Sequence, residues 1–200
     1  MIAVDAETSL RERRKRRTQN AIIDAALALF EEKGYDAVTV DEIAAAAEVS
    51  PRTFYRYFPA KEDVLVVDPE VEAAMRAALA ERRPNETDAD FVARSMITAL
   101  TARSPERARC GYQLVRTTPA LQSRMYQLVW RDQEHIAEAL LAGSPRTPDT
   151  EFRAHVVTHA VTDAIRVAVA FWIQSGQRGP VSSQCERAVA FLREAFATGP

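Results

Sequence analysis

Between Gly34 and Pro59 the chain has room only for two short helices, and their ends are written in the sequence. Thr39-Val40-Asp41-Glu42 has the form of a capping box. A hydroxyl residue meets the N–H three places on, and an acid at that place answers back. Ser50-Pro51 starts a second helix, with Ser50 at the N-cap and Pro51 at the first helical position, where a missing N–H has no consequence. Pro59 disfavours helical backbone at Phe58, so this helix ends near Tyr57. Helices of about two turns are not stable alone and need a longer neighbour. The stripe Ile22, Ile23, Ala26, Leu27 and Phe30 predicts one over 18–33, closed by Gly34. One long helix followed by two short ones across a tight turn is a helix-turn-helix unit.

The second short helix is crowded with polar chemistry. Phe54 and Phe58 supply its inner side, which leaves Arg52, Thr53, Tyr55, Arg56 and Tyr57 for the outer one. Such a surface suits the DNA major groove: Arg reads guanine edges, Thr meets a thymine methyl, and Tyr hydroxyls reach phosphates. Lys61, near the next helix start, is placed to grip a phosphate. Upstream, residues 11–17 hold six basic side chains against Glu12 alone, a local charge of about +5 that suits the DNA backbone or the minor groove. The candidate DNA-contact set is Arg16, Arg17, Thr39, Ser50, Pro51, Arg52, Thr53, Tyr55, Arg56, Tyr57 and Lys61. The overall formal charge of −2 excludes a globally basic nucleic-acid coat, but not such a local patch.

Beyond residue 60 the pattern is helical throughout. Asp68-Pro69, Ser104-Pro105, Thr118-Pro119 and Thr147-Pro148 each place a cap residue before proline. They predict helices over about 69–82, 88–103, 105–116, 119–142 and 148–174, with a last one after Gly179-Pro180 to about 197. Sustained β alternation is lacking, so the expected fold is all-α: a DNA-binding domain over 1–65 and a helical bundle over 66–200. Two cysteines make no disulfide framework, and neither an export signal nor a bilayer-length apolar stretch is read, so the expected setting is the cytoplasm.

The bundle offers less specific signals. Met75, Met96, Tyr112, Tyr126 and Trp130 are candidates for a cavity wall, although such residues at helical spacing also fill cores. Arg116, Arg131 and Arg166 are placed to pair with an anionic ligand group or to face solvent. His155, His159 and Asp163 fall on one helix face. Three readings stay open for them: a polar ligand stripe, a structural network, or a metal site completed by His135, Glu134 or Cys110. No metal or cofactor is assigned. Small residues at Ala160, Ala164 and Ala168 lead to Trp172, and Val189, Leu192 and Phe196 (beside Ala188) stripe the last helix. Together they make a candidate four-helix dimer interface, or an intramolecular seam. A homodimer is expected because one helix-turn-helix reads only a half-site.

The stretch 22–65 resembles the DNA-binding domain of the TetR family of bacterial repressors. The residues carrying the likeness include Ile23, Ala26, Phe30, Gly34, Tyr35, Thr39, Val40, Ile43, Ala44, Val49, Ser50, Thr53, Tyr55, Tyr57, Phe58, Lys61 and Glu62. The resemblance implies a ligand-binding C-terminal domain, dimerisation through the last two helices, and release from a palindromic operator when a small molecule binds. The wording 51–59, followed by Lys61-Glu62-Asp63-Val64, is similar to an actinobacterial branch with acyl-CoA-like ligands. Two departures stand out. Glu48 occupies a turn position where the family usually has Gly, a strain of roughly 1 kcal/mol if φ is positive. Arg52 replaces a usual Gly and brings a base-reading side chain. A ligand-independent or co-ligand-requiring DNA-binding regulator is the alternative. An enzyme is not expected, since neither a nucleophile elbow nor a phosphate loop is present.

Overall fold

The computed structural model describes residues 2–176 and 179–197, and side chains from Leu10 to Ala195 apart from 177 and 178. These residues hold ten α-helices: α1 (Ile2–Lys33), α2 (Val40–Ala46), α3 (Pro51–Tyr57), α4 (Asp63–Val66), α5 (Pro69–Ala80), α6 (Asp88–Ala102), α7 (Pro105–Thr117), α8 (Pro119–Leu141), α9 (Pro148–Gln174) and α10 (Val181–Ala197). The all-α expectation stands, and the proline-marked starts of α5, α7, α8 and α9 fall where the sequence puts them.

One helix is longer than its periodicity suggests. The stripe begins near residue 18, yet α1 starts at Ile2. Neither Gly nor Pro interrupts residues 1–33, and Arg, Lys, Glu and Ala are good helix formers, so nothing stops the helix running outward. The short helix α4 is a further addition, a single turn before Pro69.

The chain divides into two compact units, and the division is not at residue 65. The first takes in residues 1–69 together with 106–125; the second takes in 70–105 and 126–200. In the first, Ile22, Ile23, Ala26 and Phe30 of α1 pack with Ile43, Ala44, Phe54, Phe58, Val64 and Leu65. Leu121 of α8 is fully buried in the same cluster, with Leu114 and Val115 of α7 against it. Polar ties follow the same path. Arg107 donates from Nε and Nη2 to the Asp24 carboxylate and from Nη1 to Asn20, and Arg124 donates to Asp63.

In the second unit, α9 packs on α10 and α6. Ala154, Val161, Ile165, Ala168, Val169 and Trp172 form its buried side. Among the described residues, α9 is also long and apolar enough to cross a membrane by length and composition alone, although its sequence shows no bilayer-length run free of charge. Thr147 caps its N-terminus, accepting from Thr150 N while Thr150 Oγ1 accepts from Thr147 N. The α5–α6 connection is held by Arg94, which forks onto Glu86 and donates to the carbonyls of Ala78 and Glu81.

Candidate nucleic-acid interface

The helix-turn-helix is built by local chemistry. At α2, Thr39 Oγ1 accepts from Glu42 N, and Glu42 Oε2 accepts from Thr39 N, so the capping box is closed. Lys33 of α1 donates to Glu42 Oε1 at 2.8 Å. These contacts, Lys33 first and the Thr39 groups next, hold the Glu42 carboxyl down at about 2. At α3, Ser50 Oγ accepts from Thr53 N at 3.1 Å, with Pro51 at the helix start. Each such cap stabilises its helix by about 1 kcal/mol. Between them Glu48 sits at φ +55°, the left-handed backbone that the turn demands and that favours glycine.

Phe54 and Phe58 are fully buried with ring centroids 5.8 Å apart, and they fix how α3 is rotated. The opposite side therefore faces outward: Pro51, Arg52, Tyr55 and Arg56 are exposed, and Thr53 and Tyr57 half-buried. Arg56 lies over the Tyr57 ring, 5.0 Å from its centroid. The Thr53 hydroxyl is 3.0 Å from Ser50 Oγ and so engaged in the cap, which leaves its methyl as the contact group. This face combines charged donors, a phenol and an apolar methyl on a short rigid helix, the chemistry that base edges and phosphates need.

Lys61 is placed differently from its sequence-based role. Its ammonium donates to the carbonyls of Tyr35 and Val38, each at 2.9 Å, and lies 4.2 Å from the Tyr35 ring centroid. It ties the α1–α2 connection to the α3–α4 connection, a structural role that the sequence does not announce. Tyr35 is locked in turn by donating to Glu62 Oε1, and burial, with that carboxylate, pushes its hydroxyl well above the ordinary range.

The basic run also takes a different form. Residues 11–17 are exposed, and they are helical. A helix about 10 Å across does not enter a minor groove about 6 Å wide. Arg16 and Arg17 are both exposed on this helix.

The residues expected to line a ligand cavity differ widely in exposure. Tyr126 and Trp130 are exposed, at 65% and 63%, as are Arg116, Arg131 and Arg166. Met75 and Met96 are half-buried in the second unit, while Tyr112 lies in the first. His159 stacks edge-on against Trp130, its ring centroid 5.7 Å away, and His155 is 6.4 Å from His159. Asp163 pairs at the surface with Arg166, at 3.1 Å. Among the described residues, no cluster of three or more His, Cys, Asp or Glu is placed to hold a metal. A 330 Å³ groove between α6 and α10 is lined instead by charged residues such as Glu86, Asp90, Arg94 and Arg193.

The small-residue stripe turns inward. Ala168 and Trp172 are buried within the protomer, Trp172 donating Nε1 to the Gly179 carbonyl, and Val189 is buried on α10. Ala160, Ala164 and Leu192 are half-buried at the same seam's edges, and the Phe196 side chain lies outside the described residues. The apolar groups left exposed are Phe152, Val156, Val167 and Phe171 of α9 and Phe191 of α10. The periodicity of the two helices does not single them out.

Residues 22–66 match the family described as bacterial regulatory proteins, tetR family. The HTH-type transcriptional regulator TcmR of Streptomyces glaucescens is 37% identical over 132 residues, which cover 66% of this chain and 56% of that protein. The HTH-type transcriptional repressor KstR of Mycolicibacterium smegmatis is 40% identical over 65 residues, 32% of each. The chain thus spans about half the length of the first of these relatives and a third of the second. The solved structure of the transcriptional regulator FadR from Bacillus subtilis, in complex with stearoyl-CoA, superposes with a TM-score of 0.52 at 21% identity, covering 86% of this chain and 96% of that one. That likeness is one of fold.

Proposed function

The chain belongs to the TetR family of bacterial transcriptional regulators, and from that premise we propose that it represses transcription as a homodimer bound to a palindromic operator, in the cytoplasm, until a small molecule releases it. The observation that carries this is the outer face of α3: Arg52, Tyr55 and Arg56 exposed on a helix clamped by Ser50 and by buried Phe54 and Phe58. One α3 spans a half-site, so two must lie about 34 Å apart, one turn of B-DNA.

The partner for the second half-site is a second copy. Exposed apolar groups on α9 and α10 supply a surface for it: Phe152, Val156, Val167, Phe171 and Phe191. A two-fold axis beside α9 sets these against their own counterparts. The small-residue stripe contributes by holding α9 and α10 together behind that surface.

The helical unit formed by residues 70–105 and 126–200 is the proposed seat of the effector. An effector acts only by binding the DNA-competent and DNA-incompetent spacings unequally. FadR of Bacillus subtilis was solved with stearoyl-CoA, and a fold likeness alone does not carry that ligand over.

Selection of random duplexes on the purified protein at two salt concentrations tests the reading. An inverted repeat with half-site centres about 10 base pairs apart, or a multiple of that, is the expected product. Unrelated sequences with steep salt dependence would overturn the operator and favour a regulator that needs a co-ligand.

A further inference from the structure

Helical threonines in this chain tend to satisfy themselves. Thr18, Thr101 and Thr117 each donate to the carbonyl four residues back, at Arg14, Ile97 and Gln113. Ser95 on α6 and Thr158 and Thr162 on α9 have the same option and do not take it. All three hydroxyls are enclosed and have no hydrogen-bond partner among the described residues. Ser95 and Thr158 are fully buried and Thr162 nearly so. Each carries a desolvation penalty that a partner would relieve.

Their surroundings restrict what that partner is. Thr158 and Thr162 lie one turn apart on the buried side of α9, and α6 packs against α9. The same two helices bury Phe91, Val92, Ala99, Val161 and Ile165. Among the described residues, the polar residues of this unit buried as a whole are Ser95, Gln133, Thr158 and Thr162, none of them a cation. Arg94, the cation on α6, is forked onto Glu86. A carboxylate or phosphate here would be desolvated without a buried counter-charge. A carbonyl or hydroxyl needs only what three hydroxyls offer, since each is both donor and acceptor.

We propose that Ser95, Thr158 and Thr162 form the polar end of a binding site, at the α6–α9 seam, for an uncharged organic molecule bearing a carbonyl or hydroxyl oxygen. This rests on the effector reading above and names the chemical class of its ligand.

The test uses phenol as probe, small enough not to presuppose the shape of a larger ligand, with toluene and benzoate as matched controls. Binding to the full chain is followed by the threonine methyl resonances in NMR. Phenol is expected to shift Thr158 and Thr162 saturably, toluene to bind at least fivefold more weakly, and benzoate not to bind. In T158V/T162V, which keeps side-chain shape, the preference for phenol over toluene falls to about one, and the melting temperature does not drop. If that variant fails to fold, Ser95→Ala carries the same expectation of a reduced preference. Absence of phenol binding, equal binding of toluene, stronger binding of benzoate, or a preference that survives the substitutions each overturns the proposal. Operator binding by the unmodified protein, measured without phenol, stands or falls separately.

Discussion

Arg124 Nε lies 2.5 Å from Oδ1 of Asp63, a carboxylate with no exposed surface whose Oδ2 also accepts from the Ala60 N–H. The pair joins the first turns of α8 to α4, 61 residues apart in sequence. Removing the guanidinium leaves a buried charge half satisfied, whereas neutralising the acid leaves an arginine that can turn to water. Arg124→Met is therefore expected to lower stability by about 2 kcal/mol, less than a fully buried pair because the arginine is one-third exposed, and Asp63→Asn by about 1. Urea unfolding of both variants checks the order. Equal destabilisation would mean that the pair is screened like a surface one.

Lys61 separates a structural from a DNA-contact role. Its two charge-assisted hydrogen bonds to Tyr35 and Val38 hold two connections together. Lys61→Met should lower unfolding free energy by about 2 kcal/mol. The salt dependence of operator binding is expected to keep its slope, since two of the three ammonium N–H groups are already committed to backbone carbonyls. A slope reduced by about one per protomer would return Lys61 to the phosphate.

Glu48 stores strain between α2 and α3. A side chain at φ +55° costs about 1–2 kcal/mol relative to glycine, of which the looser unfolded chain of a glycine variant takes back about 0.4–1. Glu48→Gly should raise stability by roughly 0.5–1 kcal/mol. Glu48→Ala should not, since it removes the charge and keeps the Cβ. Thermal melts of the two variants distinguish backbone relief from charge removal.

Acid should loosen the helix-turn-helix through Glu42. Its folded pKa, about 2, lies below the ordinary carboxylate value because Lys33 and the Thr39 groups bind the ionised form. A depressed folded pKa gives stability that is fully present above the unfolded value, roughly 4.3, and is lost as pH falls toward the folded one. Glu42→Gln should be less stable than the parent at pH 7, with the gap closing between pH 5 and 2. A gap that stays constant across that window, in urea titrations at successive pH values, would show that the carboxylate is not what the box relies on.

The parts of this fold that are legible in sequence are those decided by neighbours in the chain. Thr39 with Glu42, Ser50 with Pro51, and the later prolines each set a helix start through groups within four residues. The inclusion of 106–125 in the DNA-binding unit is not legible, because it depends on Leu121 entering a distant core and on Arg107 meeting Asp24 across 83 residues. Lys61 looks free in sequence because its acceptors are backbone carbonyls, which leave no mark there. On α9, Trp172 faces inward and Phe171 outward, one residue and 100° apart. Periodicity marks both stripes and does not say which one the protomer itself covers.

Base reading and phosphate binding should separate cleanly between α3 and α1. Arg52 is exposed on α3 one residue after Pro51 and is proposed to read a guanine edge by a bidentate contact. Arg52→Ala should cost about 1–3 kcal/mol on the selected operator and relax preference at one position per half-site, with little change in binding to random duplex. Arg14, Arg16 and Arg17 lie on an exposed, strongly basic helical stretch, suited to the phosphate backbone. Replacing all three by Ala should weaken operator and random duplex alike. It should also make the salt slope shallower by up to about 0.9 for each phosphate that no longer has a cationic partner. Fluorescence anisotropy on both duplexes from low to moderate salt measures the two effects together. Uniform weakening by Arg52→Ala would make it a phosphate ligand, and sequence-selective weakening by the triple variant would mean that α1 reads DNA directly.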